Sequence, residues 1–160
     1  MKILGIDPGM TRTGYGIIEC VKDEFKVLNF GCIKTNSQLD FALRLKKIYD
    51  ELNEVMKDQN PHEVAVESVF FAKNAKLALS IGHARGVVLL LAVINNIPTF
   101  EYSVREVKQA VAGNGSASKD QVQRMVTQLF GLPEMPQFYD TSDALAVALC
   151  HGHRKSKFQT

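Results

Sequence analysis

The chain begins "MKILGIDPGMTRTGYGII", and its first six residues already restrict the fold. A short run of large apolar residues reads as a buried strand, yet it ends on a carboxylate, Asp7, followed at once by Pro8 and Gly9. A charge at the end of a core strand is costly unless something pairs with it, so the use of Asp7 has to be sought elsewhere in the chain.

At 160 residues, 46% hydrophobic and 22% charged, the sequence suits one globular domain over 1–160. Residues 2–7, 14–21 and 25–34 read as three strands joined by short turns, a meander. Ser37 with Asp40 looks like a capping pair, and Phe41, Leu45, Ile48, Leu52 and Val55 then recur at helical spacing. "EVAVES" at 63–68 is a short strand, residues 73 to 95 are helical, and Pro98 to Tyr102 is another strand. Ser103 with Glu106 caps a helix that "AGNGSAS" ends. A helix with Val122, Met125, Val126 and Leu129 on one face follows, and a last one runs from about Asp140 to His151. The order β-β-β-α-β-α-β-α-α-α predicts an α/β fold with a mixed five-stranded sheet and helices on its faces. Residues 152–160 are expected to be a flexible basic tail, and His151 and His153 to be solvated.

Three widely spaced cysteines with no C-x-x-C pair argue against a disulfide frame or zinc knuckle and fit a reducing cytoplasm. No signal-peptide pattern is expected at the N-terminus. "GVVLLLAVI" at 86–94 is too short to span a bilayer, is bounded by Arg85 and His83, and reads as a core helix.

Asp7 is not alone. Glu67 also ends a short hydrophobic strand, and "DTSDALAVAL" puts Asp140 and Asp143 three residues apart on one helix face. Each acid has a simpler use taken singly: a turn cap, a strand-end acid, or acids favoured by a helix N-terminus. Together, four acids at element ends would repel one another unless divalent cations neutralise them, and hard oxygen ligands suit Mg²⁺ or Mn²⁺. Two such ions about 4 Å apart can activate water and stabilise the leaving oxygen in phosphodiester hydrolysis. Setting these four acids aside turns the net charge of +2 into +6 for the remaining surface, a modest basic bias that suits a polyanion.

The segments "GIDPGMTRTGYGII", "AVESVFFAKNAKLALSIGHARGVVLL", "EYSVREVKQAVAGNGSASKDQVQRMV" and "DTSDALAVALCH" resemble, in order, the RuvC family of bacterial Holliday-junction resolvases. The resemblance implies a ribonuclease H-like three-layer fold, a homodimer, and Mg²⁺-dependent cutting of four-way DNA junctions in recombination and repair. Asp7, Glu67, Asp140 and Asp143 match the family's catalytic and metal-binding positions; some members carry His where this chain has Asp140. Two Mg²⁺ per site are implied, with Mn²⁺ able to substitute, and the RuvA–RuvB branch-migration complex as a partner. Phe70 matches an aromatic that stacks on bases at the junction centre, beside Phe71, Lys73 and Asn74. Lys108 and Lys119 match positions near the scissile phosphate. The "AGNGSASK" loop, with Ser116, suits phosphate contact through its backbone N–H groups.

Two other classes have sequence features to answer for. "GIDPGMTRTG" also looks like the first phosphate loop of actin-like and sugar-kinase ATPases, but those need two lobes and a chain over twice as long, and G-x-x-x-x-G-K-[ST] is absent. A non-catalytic DNA-binding module would leave four costly acids unexplained.

Overall fold

Hydrophobic alternation and local capping are enough to account for most element boundaries in the computed structural model, which describes residues 1–22, 24–68 and 74–156. Three antiparallel-connected strands come first, β1 (Lys2–Asp7), β2 (Arg12–Val21) and β3 (Glu24–Lys34). They are followed by α1 (Phe41–Gln59), β4 (Glu63–Glu67), α2 (Ala75–Ile94), β5 (Thr99–Tyr102), α3 (Val104–Ala112), α4 (Lys119–Leu129) and α5 (Tyr139–Ser156). The sheet order is β3-β2-β1-β4-β5. β1 runs antiparallel to β2 and parallel to β4, and β5 is parallel to β4, so the sheet is mixed.

Two cores sandwich this sheet. Leu4, Ile6, Ile17, Val64 and Val66 point to one face, against Ile48 and Leu52 of α1 and Val88 and Leu91 of α2. Ile3, Ile18 and Ala65 point to the other, against Val107 of α3, Val126 of α4 and residues 145–150 of α5. That alternation along single strands is what places β1 and β4 in the middle of three layers.

Local features depart from expectation at α1 and α2 and agree with it at α3. The cap of α1 is Asp40 itself, whose carboxylate accepts from the Ala42 N–H at 2.9 Å, while Ser37 takes no part. The Ser103–Glu106 box is present at α3, and a second one, Ser118 with Gln121, starts α4. α2 is only half a core helix: Ala84, Val88, Leu91 and Ala92 are buried, but Leu79, Leu90, Val93 and Ile94 are exposed. With a mean hydropathy of 2.0 over its window, α2 is long and apolar enough to cross a membrane by composition alone. Here its inner face is committed to the α1 side of the sheet, and Arg85 forms an ion pair with Glu101 of β5.

The expected tail is corrected as well. α5 continues to Ser156, with Gly152 buried. His151 is not solvated but 1% exposed: Tyr102 Oη lies 2.6 Å from its Nδ1, Glu63 Oε2 lies 2.5 Å from its Nε2, and Lys155 Nζ reaches Glu63 Oε1 at 2.7 Å. An apolar helix tail can end in three basic residues here because a strand-end acid, Glu63, waits beneath it. Residues 157–160 lie outside the described residues.

Candidate active site

Parallel pairing of β1 with β4 brings Asp7 and Glu67 to the same end of the sheet, and the alternation of side chains turns both toward α5. The helix supplies the other two acids because it lies unusually close to the sheet. A Cβ at Gly5 would sit 2.1 Å from the Ala144 carbonyl oxygen, and one at Gly14 would sit 1.9 Å from that of Asp140. Only glycine leaves room for the first turn of α5 to rest on β1 and β2, and that contact delivers Asp140 and Asp143 over Asp7.

All four carboxylates line one cleft of about 410 Å³, together with Arg12, Lys108 and Lys119, with Met10, Leu77 and Ile81 among its apolar walls. Burial, and then repulsion from Glu67, Asp143 and Asp140, holds the Asp7 carboxyl well above the usual range. Burial likewise, with Asp143 adding to it, pushes Glu67 up to about 7. Asp143 is also raised, chiefly by burial, although Lys119 Nζ lies 3.4 Å from its Oδ2 and opposes the shift. For Lys119, burial favours the neutral amine, but the acids around it outweigh burial and raise its pKa. The salt bridge therefore strengthens the lysine's charge without fully relieving the acid, since Asp143 faces other carboxylates too.

Among the described residues no three Asp, Glu, His or Cys side chains converge into a ready-made metal cage. Two acids are turned to cations instead, Asp143 to Lys119 and Asp140 to Arg12, whose Nε lies 3.2 Å from Asp140 Oδ2. The donor set fits divalent metal nonetheless. Four oxygen-bearing groups on rigid elements, three of them held protonation-prone by burial and by repulsion from neighbouring acids, are the environment a hard cation relieves.

The DNA-contact candidates divide. Lys108 and Lys119 join the acids in the cleft. Asn74 is exposed and caps α2, its side-chain oxygen accepting from the Leu77 N–H at 3.2 Å. Ser116 is exposed in the α3–α4 loop, where its hydroxyl donates to Asn114 Oδ1 at 2.9 Å, and neither residue lines the cleft. Phe70, Phe71 and Lys73 lie outside the described residues. Sequence reasoning missed Arg12. Arg12 opens β2 two residues before Gly14, the register partner of Asp7, but the acid it meets is Asp140 of α5, which no local pattern signals.

Comparison with known proteins agrees with this geometry. The family model described as "Crossover junction endodeoxyribonuclease RuvC" matches residues 3–151. The chain is 49% identical over 158 residues to the protein of that name from Desulforamulus reducens, covering 99% of this chain and 97% of the relative. It is 53% identical over 153 residues to that from Syntrophotalea carbinolica, covering 96% and 94%. The solved structure of T. thermophilus RuvC in complex with Holliday junction substrate superposes with a TM-score of 0.92 at 36% identity, covering 99% of this chain and 96% of that one. The yeast mitochondrial Holliday junction resolvase Ydc2, at 13% identity and a TM-score of 0.66, shares the fold. An acid-lined cleft at one end of a mixed ribonuclease H-like sheet, and near full-length likeness to named resolvases, establish that the chain belongs to the RuvC family of crossover junction endodeoxyribonucleases.

Proposed function

We propose that this chain resolves four-way DNA junctions by paired symmetric nicks, with Asp7, Glu67, Asp140 and Asp143 holding two Mg²⁺ ions. The single observation that carries the reading is the cleft itself: four carboxylates from β1, β4 and α5, flanked by Lys108 and Lys119, in a chain of this family. Mn²⁺ is the natural substitute, being another hard ion for oxygen ligands.

Divalent metal bound there would supply Lewis acidity toward the scissile phosphate and lower the pKa of water. The chain's own residues do the rest. β1 and β4 hold Asp7 and Glu67 at fixed separation, and the Gly5 and Gly14 contacts fix the height of Asp140 and Asp143 above them. The Lys108 and Lys119 ammonium groups offset phosphate charge that the acids would otherwise repel. By family resemblance the products carry 5′-phosphate and 3′-hydroxyl ends, Phe70 stacks on bases at the junction centre, and the RuvA–RuvB complex delivers the substrate in the cytoplasm.

Two symmetric cuts require two sites on one symmetric substrate, which a C₂ homodimer supplies. The outer face of α2 is the surface for it. Leu79, Leu90, Val93 and Ile94 are exposed there, and Gly82 and Gly86 have open space where a Cβ would be.

The test is incubation of an immobile and a mobile synthetic four-way junction with protein and Mg²⁺, with products read on a denaturing gel. Paired nicks at symmetry-related positions, absent in EDTA, are expected. Intact junction in Mg²⁺ and in Mn²⁺ would overturn the reading.

A further inference from the structure

The cleft has two flanks, and only one is accounted for by the residues already discussed. Lys108 and Lys119 stand on the α3–α4 side. On the opposite side, Arg12 opens β2 and Lys34 closes β3, and the two are direct register partners at the edge of the sheet. Both are exposed, and both lean on one ring: Lys34 Nζ lies 4.2 Å, and Arg12 Cζ 5.5 Å, from the centroid of Phe138. Phe138 stands two residues before Asp140, just ahead of the start of α5.

Placing two like charges against one aromatic ring costs repulsion, and an exposed cation–π contact returns only about 0.5–1 kcal/mol. The ring orients the cations without neutralising them. Arg12 spends part of its charge on Asp140, but among the described residues no carboxylate pairs with the Lys34 ammonium. The result is a cationic edge, held in place beside the acids and open to an anion. A sugar-phosphate backbone that crosses the acid centre from the α3–α4 flank toward Arg12 meets this edge next.

We propose that Arg12 and Lys34, oriented by Phe138, form a second phosphate-binding arm that grips the DNA backbone on the β2–β3 side of the cleft. Lys34 meets a phosphate directly, while Arg12 bridges between Asp140 and the next one. This inference rests on the junction-nuclease reading and extends its substrate contacts to residues to which the resemblance gives no role.

The probe is a synthetic four-way junction, with Ca²⁺ in place of Mg²⁺ to slow cutting and salt varied at fixed pH. Lys34→Gln should lower the slope of log affinity against log salt by about 0.9, one phosphate contact, and Lys34→Arg should restore it. In a scan of single methylphosphonate replacements near the cut, wild type should be sensitive at one position to which Lys34→Gln has become indifferent. If wild type binds and cuts while Lys34→Gln keeps both the wild-type slope and the wild-type methylphosphonate pattern, the arm is overturned and the nuclease reading stands. If wild type neither binds nor cuts, both fall. Thermal melting of each variant confirms that an exposed strand-end change has left the fold intact.

Discussion

Glu63 and Glu67 begin and end the same five-residue strand, face the same side of the sheet, and meet opposite fates. At Glu63 burial alone would raise the carboxyl, but hydrogen bonds from Lys155 and His151 outweigh it and hold the group below its ordinary value. At Glu67 burial acts in the same direction and Asp143 adds to it, leaving the group near 7. One end of β4 is satisfied by its neighbours; at the other, Lys119 and Lys108 offset burial and repulsion only in part. Burial of an acid is therefore no guide to its role, whereas the identity of its neighbours is.

The sharpest way to break that contrast is to remove charge at the unsatisfied end. Asp7→Asn should lower junction cleavage by more than about 100-fold, the scale lost when one transition-state electrostatic contact goes. Binding should be kept or improved, since a negative charge near phosphate disappears. A cleavage rate near wild type in Mg²⁺ would remove Asp7 from the site.

Stability should also separate the two glutamates. Folded Glu67 retains its proton to about pH 7 whereas the unfolded chain releases it near 4.5, so the folded state binds more protons in that window and loses stability as pH rises through it. The loss is at most about 3 kcal/mol. In EDTA, Glu67→Gln should be more stable than wild type above pH 7 and converge with it near pH 4.5, by urea titration across pH; Mg²⁺ should shrink the difference. Glu63 has the opposite sign, contributing stability at neutral pH that is lost as pH falls through its lowered folded value.

A smaller effect is expected at the satisfied end. Burial lowers the pKa of His151 despite the opposing pull of Glu63, so the ring is neutral, Nε2–H donating to Glu63 and Nδ1 accepting from the Tyr102 hydroxyl. His151→Phe leaves the Tyr102 hydroxyl without its acceptor and Glu63 with Lys155 alone, and should cost about 2 kcal/mol in urea unfolding. Cleavage well below the melting temperature should stay within a few fold of wild type. A loss like that of Asp7→Asn would mean that the two ends are coupled.

The sequence made the layers readable because each strand's apolar pattern and each helix's capping residues are local signals. The four acids were readable for a related reason: Asp7 and Glu67 sit where an apolar strand stops, and Asp140 and Asp143 where an apolar helix starts. What escaped was decided by distant pairing. His151 reads as solvated from sequence because its partners, Glu63 and Tyr102, lie 88 and 49 positions away. Arg12 was overlooked because its value comes from hairpin register and from α5. The outer face of α2 could not be told from core by composition, since apolar residues surround the whole helix and only packing says which of them are covered.

The contact of α5 with Gly5 has a consequence for how such an enzyme can change over generations. A helix advances about 1.5 Å and turns about 100° per residue, so sliding α5 by one position would swing Asp140 and Asp143 out of the cleft altogether. Lifting it by the thickness of a methyl group would raise both acids together. Neither adjustment offers a gradual path, because backbone already touches backbone at this crossing. Variation in the site is thus channelled into exchanging one cleft side chain for another at a fixed address, while the spacing of the addresses is held by the backbone contact.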